Sequence, residues 1–330
     1  MNYINVLITI DDNYIDYCYN LFFSLKRNNS SLFNIYLVYS DLSQENINKF
    51  ESFINENGIG KVKPILFELS NYDFPINSDY ISRTAYIRLF APLLIKDKID
   101  RLLYLDPDII CGNSIEEFYN FDFDNKTLIA VENMYHEENY SKNYNLGLNY
   151  DNIYINSGVL IFNMNKYLNN VSIKMLLDFI NEKKTILENH DQDIINLMFY
   201  NDIKAVDNTY NYQIITNETR MDAVLTHYAG SPKPWDSNYE AVEKGIPYYK
   251  LLIDMGKIDL AKEIIIRNSI NYMGMIKYLI GKDHNSLLNI YKDIDNIDNI
   301  YKYLDDFGVK YGIKLFNSLI NENMKDNSGE

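Results

Sequence analysis

Short apolar runs alternate with longer amphipathic stretches through the first two thirds of the chain. Runs of four to eight mostly apolar residues are typical of buried strands, and apolar positions three and four apart predict helices. The runs that predict strands are NVLITI (5–10), FNIYLVYS (33–40), KPILFEL (63–69), LLYLDPDII (102–110), TLIAVEN (127–133) and YINSGVLIFNM (154–164). Their alternation with helical stretches predicts an α/β sheet with helices on both faces.

The amphipathic stretches lie between these runs. Residues 82–95 are expected to form a helix that breaks near Pro92, because proline cannot donate the helical hydrogen bond. The stretches that predict helices are 11–29, 43–58, 82–95, 165–184 and 190–201, while 203–213 reads as strand or loop and 224–236 as a Gly- and Pro-punctuated segment without a helix. Beyond residue 247 the pattern becomes helical throughout, which predicts a domain at 1–247 and a small helical appendage at 248–330.

Composition narrows the classes of partner. The formal charge of −15 and the pI near 4.7 argue against a nucleic-acid partner, so an acidic substrate must be met locally by a metal or a few cations. Cys18 and Cys111 form no CxxC pair, which fits a reduced compartment. The N-terminus lacks the features of a signal peptide and no apolar run is long enough to span a membrane, so we expect a cytoplasmic protein, with peripheral contact with the inner membrane face left open.

Two aspartates, Asp106 and Asp108, follow the apolar run LLYL. In a strand, residues two apart project to the same side, so both carboxylates can point together. Oxygen ligands of this kind suit Mg²⁺ or Mn²⁺ and leave positions open for phosphate and water. The alternative is a solvated strand end, since Asp-Pro-Asp also forms turns.

The segment HYAGSPKPWD carries one of only four histidines, His227, ahead of Gly230 and Lys233. An imidazole could complete a metal site with the two aspartates, and adding nitrogen to oxygen ligands favours Mn²⁺ over Mg²⁺. Gly230 would let the backbone approach a phosphate, and Lys233 would supply a compact cation. The alternative is a surface turn with an incidental histidine.

Other polar residues stand where a ligand of an open α/β sheet would bind. Asp11 and Asn13 follow the first strand and could hydrogen-bond a base or ribose, or simply cap the next helix. Asn156 could read sugar hydroxyls. Asp191 and Gln192 open a short helix and could line a pocket, or simply cap that helix. Arg88 could contact a diphosphate or form an ion pair across a helix.

The motifs ITIDDNY, YIRLFAPLLI, LLYLDPDII, YINSGVLIFN, HDQDIIN and HYAGSPKPW, in this order over about residues 3–247, together resemble glycosyltransferase family 8. That family comprises retaining enzymes, among them bacterial lipopolysaccharide galactosyl- and glucosyltransferases. The resemblance implies an A-type nucleotide-diphosphosugar transferase fold, which is a Rossmann-like mixed sheet, and a UDP-hexose donor bound with Mn²⁺ or, as a second choice, Mg²⁺. The acceptor would be a hydroxyl of a glycan or glycolipid, as in lipopolysaccharide biosynthesis.

The resemblance also implies roles for individual residues. It assigns the metal to Asp106, Asp108 and His227, uridine to Asp11 and Asn13, the diphosphate to Gly230 and Lys233, and the donor sugar to Arg88, Asn156, Asp191 and Gln192. Glu132 stands near a further sugar-binding acid of the family. Residues 133–152 match no specific family pattern and would form an acceptor-side or lid loop, and the tail beyond residue 248 is not markedly basic.

Retention of configuration requires either a covalent intermediate or attack on the same face. The group nearest the sugar would be Gln192, whose amide is a poor nucleophile, so we favour same-face attack with the departing phosphate oxygen taking the acceptor proton. Asp191 and Asp193 stay open as nucleophiles.

Two other functions compete with a transferase. The first is a nucleotide-sugar binding protein without transfer activity, which the complete set of three metal ligands disfavours. The second is a metal-dependent phosphodiesterase, for which four histidines are a poor supply.

Overall fold

The structure is a computed structural model that describes residues 3–68, 83–214, 220, 222–239, 241–282 and 308–322. The chain divides into two compact units, Met1–Ala229 and Gly230–Glu330. The predicted domain boundary after residue 247 lies beyond this division and stays a prediction.

Ten strands form two sheets in the described part of the first unit. They are β1 Tyr3–Ile10, β2 Leu32–Tyr39, β3 Gly60–Leu66, β4 Arg101–Leu105, β5 Ile109–Cys111, β6 Leu128–Glu132, β7 Ile155–Asn163, β8 Ile203–Val206, β9 Tyr212–Gln213 and β10 Leu225–His227. The large sheet has seven strands in the order β3-β2-β1-β4-β7-β6-β8. Only β7 runs against its neighbours, β4 and β6, so the sheet is mixed. The predicted α/β sheet is confirmed.

The small sheet has the order β5-β10-β9, and it corrects one expectation. The run LLYLDPDII is not one strand, because β4 belongs to the large sheet and β5 to the small one, with residues 106–108 as the turn between them. The segment around His227, expected to hold no helix, contributes the strand β10, which pairs antiparallel with β5 and parallel with β9.

Helices fill most of the connections. They are α1 Ile15–Asn28, α2 Gln44–Glu56, α3 Ile87–Leu94, α4 Glu116–Tyr119, α5 His136–Asn145, α6 Met164–Asn170, α7 Ile173–Lys183, α8 Asp191–Phe199, α9 Ile246–Asp254, α10 Ile258–Lys282 and a helix over residues 308–322. The helix α3 continues through Pro92 and ends two residues later, at Leu94. The stretch 165–184 forms two helices, since Ser172 caps α7 by accepting a hydrogen bond from the Met175 N–H. Leu69 and Ser82, at the ends of two predicted elements, lie outside the described residues.

Apolar side chains cover both faces of the large sheet. On one face, Val6 and Ile8 of β1 pack in a buried cluster with Phe22 of α1 and Phe50 of α2. On the other face, Leu7 belongs to a second cluster that includes residues of α3 and α8. Alternate residues of one strand therefore serve two cores, as expected for a sheet with helices on both sides.

In the second unit, the described residues from Val242 on are mostly helical, and those before it form turns and bends. Asn268 of α10 donates hydrogen bonds to the Pro234 carbonyl and the Tyr249 hydroxyl, and Tyr311 donates to Glu243. The predicted C-terminal helices are thus present. The described helices include none with the length and apolar composition that crossing a bilayer requires.

Candidate active site

Three neighbouring strands bring polar residues to one edge of the large sheet. The parallel strands β1 and β4 end at Ile10 and Leu105, and the antiparallel β7 begins at Ile155. The C-terminal ends of β1 and β4 and the N-terminal end of β7 therefore lie at the same edge of the sheet. Ligands of open α/β sheets bind at this edge. The Asp106 N–H donates to the Gly158 carbonyl (2.9 Å), which ties the residue after β4 to β7.

Asp106, Asp108 and His227 converge there. One candidate ligand atom from each lies within 4.8 Å of the other two, and His227 Nε2 is 3.3 Å from Asp108 Oδ1 and 3.7 Å from Asp106 Oδ2. The predicted grouping is present, but its expected cause, alternation along one strand, is wrong. The carboxylates converge because the Asp-Pro-Asp turn joins the two sheets and β10 pairs His227 with Ile109, next to Asp108.

The group has the composition and space of a divalent metal site. Two carboxylates and one imidazole suit Mn²⁺, and Asp108 and His227 are only 9% and 3% exposed. The backbone of Gly158 lies against the group: a Cβ there would stand 2.3 Å from His227 Cε1 and 2.7 Å from Asp106 Oδ2. No other cluster of three such ligands occurs among the described residues.

Arg88 lies between two acidic groups in the first unit. Its guanidinium forms ion pairs with Asp106 (3.1 Å) and Asp191 (3.1 Å), and it donates to the Ser157 carbonyl (2.9 Å). Burial would lower the pKa of Arg88, but the two carboxylates more than offset it and raise the pKa above its usual value. Arg88 therefore stays charged. Its two ion pairs agree with the salt-bridge alternative, and its contact with the donor stays a prediction.

Tyr104 supports Asp106 from within β4. Its hydroxyl donates to Asp106 Oδ1 (2.5 Å), and its ring lies under the Arg88 guanidinium at 4.6 Å. Burial raises the pKa of Tyr104 well above its ordinary value, with Arg88 opposing that rise, so the hydroxyl keeps its proton. This residue was missed in the sequence, although it stands in the apolar run of β4 only two residues before Asp106.

The two aspartates of HDQD have different surroundings. Asp191 is buried and faces Arg88, and burial raises its pKa to about 6, with Arg88 opposing and Asp106 adding to the rise. Asp193 accepts from the Tyr154 hydroxyl (2.5 Å) and from the N–H groups of Glu188 and Asn189 (2.7 Å each). Asp193 thus binds the turn before α8.

A run of amides connects α8 to His227 of the Asp106, Asp108 and His227 group. Gln192 Oε1 accepts from the Ser157 N–H (3.1 Å) and from Asn156 Nδ2 (3.2 Å). Asn156 Oδ1 accepts from the Gly158 N–H (2.9 Å) and from Asn211 Nδ2 (2.9 Å). Asn211 Oδ1 in turn lies 2.9 Å from His227 Nδ1. Both amide atoms of Asn156 are therefore engaged within the protein.

The residues expected to bind uridine lie just past β1. Asp11 Oδ1 accepts from the Asn13 N–H (3.0 Å) in a local turn, and the helix α1 begins after Tyr14 without a side-chain cap. The capping alternative therefore finds no support, and uridine contact stays a prediction. Glu132 is the last residue of β6 and pairs with Ile155.

Gly230 and Lys233 belong to the second unit. Gly230 has a φ of +77°, a backbone conformation that glycine adopts without strain. The Lys233 N–H donates to Asp236 Oδ2 (2.7 Å), and Lys233 itself is buried. Their assignment to the diphosphate stays a prediction.

Comparison with known proteins identifies the family. The model of glycosyl transferase family 8 matches residues 5–239. General stress protein A of Bacillus subtilis is 26% identical over 71% of this chain and 88% of its own, and a lipopolysaccharide 1,2-glucosyltransferase of Escherichia coli is 26% identical over 74% of this chain and 81% of its own.

A solved structure confirms the predicted A-type fold. The galactosyltransferase LgtC, in complex with donor and acceptor sugar analogues, superimposes with a TM-score of 0.64 at 24% identity, covering 71% of this chain and 90% of that one. With the family model spanning most of the chain, the protein belongs to glycosyl transferase family 8.

Proposed function

We propose that this glycosyltransferase moves a hexose, glucose or galactose, from a UDP-sugar to a hydroxyl of a glycan or glycolipid with retention of configuration. The observation that carries the proposal is the convergence of Asp106, Asp108 and His227 beside Gly158 at the ligand edge of the sheet. We propose Mn²⁺ as the cation, with Mg²⁺ as the second choice, because the set mixes nitrogen with oxygen. The similarity to a lipopolysaccharide glucosyltransferase supports a lipopolysaccharide-type acceptor.

Departure of UDP requires that its diphosphate be neutralised. When bound, the cation would supply that charge as a Lewis acid. The chain's own part is to hold the ligands: Tyr104 and Arg88 both contact Asp106, so its carboxylate is fixed before the donor arrives. We assign Lys233 and Gly230 to the diphosphate and Asp11 and Asn13 to uridine, as the family resemblance implies.

Same-face attack is the mechanism that the contacts of α8 support. Asp193 is engaged by Tyr154 and two backbone N–H groups, and Asp191 is paired with Arg88. The oxygen of Gln192 already accepts two hydrogen bonds. Because each candidate nucleophile is held by other groups, we propose that the departing phosphate oxygen takes the acceptor proton directly. As the family resemblance implies, we assign the donor sugar to Arg88, Asn156, Asp191 and Gln192.

A covalent route through Asp191 has a distinct consequence. If Asp191 were the nucleophile, mass spectrometry of donor-incubated enzyme would detect a glycosyl adduct that is absent from Asp191→Ala. Same-face attack predicts no adduct in either protein at saturating donor, and an adduct on Asp191 would contradict it.

We assign binding of the acceptor to the segment over residues 133–152. The chain leaves the large sheet at Glu132 and re-enters it at Ile155, next to Asn156, so both ends of the segment lie at the ligand edge. Its α5 carries Tyr144, which is 79% exposed, and Tyr150 follows at 69%. Exposed tyrosine rings offer flat faces to sugar rings, which supports an acceptor-side role.

The experiment that tests the function is UDP release from a panel of UDP-sugars, with and without Mn²⁺ and without acceptor. We expect slow, Mn²⁺-dependent release from one UDP-hexose by the wild type and its loss in Asp108→Asn, which removes a ligand charge from a turn. The matched control is Asp178→Asn, an exposed carboxylate paired with Lys174, which should release UDP like the wild type. Absence of both release and UDP-sugar binding by calorimetry would contradict the proposal.

A further inference from the structure

Asn211 is in direct contact with the proposed metal ligand His227. It ends a 3-10 turn over Asn208–Asn211 and is fully buried, at 0% exposure. Its side chain joins two residues: Oδ1 is 2.9 Å from His227 Nδ1, and Nδ2 is 2.9 Å from Asn156 Oδ1. When both ends of a buried amide are hydrogen-bonded, its orientation is known once one of its partners can only donate or only accept.

The backbone N–H of Gly158 is that unambiguous partner. It donates to Asn156 at 2.9 Å, and only an oxygen can face an N–H, so the Asn156 atom there is Oδ1. Because that oxygen can only accept, the Asn211 atom facing it must be the NH₂ group. The remaining amide atom of Asn211, turned toward His227, is therefore the oxygen.

A second backbone group fixes the same arrangement from the other side. The Ser157 N–H donates to Gln192 at 3.1 Å, which identifies the Gln192 atom as Oε1. Asn156 Nδ2 donates to that oxygen at 3.2 Å, so its NH₂ group faces Gln192 and its oxygen faces Asn211. Two independent N–H groups thus give one consistent direction to the whole run of amides.

From this direction we infer that Asn211 is a positioning residue that holds the proton of His227 on Nδ1 and leaves Nε2 as the cation ligand. An amide oxygen cannot donate, so the hydrogen bond at 2.9 Å requires a proton on Nδ1. In the neutral ring Nε2 then presents its lone pair to Asp108 (3.3 Å) and Asp106 (3.7 Å), where only a cation or a proton offsets the repulsion. The inference rests on the proposed metal site. A hydrogen-bond partner at the other ring nitrogen commonly fixes the tautomer of a histidine that binds a metal.

Removal of Asn211 would reverse the tautomer. Without an acceptor at Nδ1, the neutral ring gains more by carrying its proton on Nε2 and donating to Asp108, 3.3 Å away. That proton occupies the nitrogen that the cation needs, so metal binding must first move it. The loss of affinity should match that of other lost partners of ligating histidines, about 10- to 100-fold.

The direct test measures the tautomer of His227 in the wild-type protein. Long-range ¹H–¹⁵N correlation spectra of the metal-free wild type at about pH 8, where an ordinary imidazole is neutral, report which ring nitrogen of each histidine carries the proton. His227 is identified by the signal that His227→Ala lacks. We expect the proton on Nδ1; a proton on Nε2 would overturn the inference.

Variants test the consequence for the cation. Mn²⁺ affinity, measured by calorimetry, should fall about 10- to 100-fold in Asn211→Leu, with the His227 proton moved to Nε2. Asn211→Asp keeps an acceptor opposite Nδ1, so the tautomer should be retained and the affinity should fall less. Asn29→Leu is the control, because Asn29 is also buried and bonded through both amide atoms, to Leu25 and Ile115, without touching the metal-binding group.

The outcomes separate this inference from the proposed function. If the wild type binds no Mn²⁺, the proposed metal site fails, whereas the tautomer spectrum still tests Asn211. If the wild type binds Mn²⁺ but Asn211→Leu binds it equally well with an unchanged tautomer, the metal site stands and the role of Asn211 is overturned. If Asn211→Leu does not fold, the comparison of wild type with Asn211→Asp decides, since loss of the Nδ1 proton in Asn211→Asp contradicts the inference.

Discussion

At the scale of single residues, Gly158 limits the space around Asp106 and His227 of the proposed metal site. An added methyl group would stand 2.3 Å from His227 Cε1, closer than any relaxed contact allows. We therefore expect Gly158→Ala to lower Mn²⁺ affinity at least about tenfold while β7 stays paired. Calorimetry measures the affinity, and Ala130→Val, which adds volume to the neighbouring strand β6, serves as the control for overpacking alone. Equal Mn²⁺ affinity in Gly158→Ala and Ala130→Val would contradict a close contact between Gly158 and the proposed metal site.

Asp191 should give the metal-free protein a characteristic pH dependence. Burial raises its pKa from an ordinary 3.8 to about 6 in the folded state. A carboxyl with a raised folded pKa stabilises the fold while protonated, so this stability is complete below the unfolded pKa and is lost as the pH rises through about 6. Relative to Asp191→Asn, the wild type should lose up to about 3 kcal/mol of unfolding free energy over this window.

Urea unfolding in a metal chelator at a series of pH values measures this difference. Asp191→Asn keeps the size and the hydrogen-bonding shape of the side chain but does not titrate. The two stability curves should diverge between the unfolded and folded pKa values of Asp191. Parallel curves would contradict a raised pKa.

The site residues show what a sequence can and cannot predict at this scale. Asp106, Asp108 and His227 were predictable because carboxylates after an apolar strand and a scarce histidine are chemically conspicuous. Asn211 was not, since an asparagine in a stretch that reads as strand or loop carries no local signal. Its contact with His227 depends on the pairing of β9 with β10, which no spacing along the chain encodes.

At the scale of elements, the start of α8 depends on Asp193. Its carboxylate accepts from the Glu188 and Asn189 N–H groups, and the chain then turns at His190, whose φ of +49° is uncommon for a residue other than glycine. Removing the carboxylate leaves those N–H groups and the Tyr154 hydroxyl unsatisfied in a buried place. Asp193→Ala should therefore lower the free energy of unfolding by about 3 kcal/mol or more.

Urea denaturation tests the role of Asp193. The exposed Asp178, which only pairs with Lys174, provides the control, and Asp178→Ala should change the stability by about 0.5 kcal/mol or less. A similar small change in Asp193→Ala would contradict a structural role and would return Asp193 to the candidates for nucleophile.

Long apolar runs were predictable as elements, and short ones were not. The run that forms β1 and the run that forms β7 are each mostly buried, and such runs indicate central strands without knowledge of their partners. The three-residue strand β10 lies beside a Gly- and Pro-rich segment and is formed by pairing with β5, so its local sequence does not predict it. For the same reason the Asp-Pro-Asp turn was expected within one strand, although it joins two sheets.

At the scale of the whole molecule, metal binding should be coupled to the stability of the fold. His227 lies more than a hundred residues along the chain from Asp106 and Asp108, so the unfolded chain presents no preformed site with all three ligands. Mn²⁺ at about 100 times its Kd should raise the unfolding free energy of the wild type by about 2.7 kcal/mol. Asp108→Asn should show no such increase in urea unfolding, and an equal increase in both proteins would indicate binding elsewhere on this acidic chain.

Fold and family were predictable at this scale because many modest motifs occur in one order. The family model matches residues 5–239, a range close to that of the resemblance inferred from the sequence. The hexose was not predictable, since glucose and galactose differ by the orientation of one hydroxyl, and that choice depends on pocket geometry. The acceptor was equally hidden, because residues 133–152 match no family pattern.

The metal site is tested most directly by diffraction from crystals grown with Mn²⁺ and UDP, with data collected near the manganese absorption edge. Our account predicts one anomalous peak per chain, in contact with one carboxylate oxygen of Asp106, one of Asp108 and Nε2 of His227, with diphosphate oxygens completing the coordination. Crystals of Asp108→Asn grown in the same way should lack the peak. A manganese ion bound through other residues, with these three side chains left in contact with each other, would contradict the account.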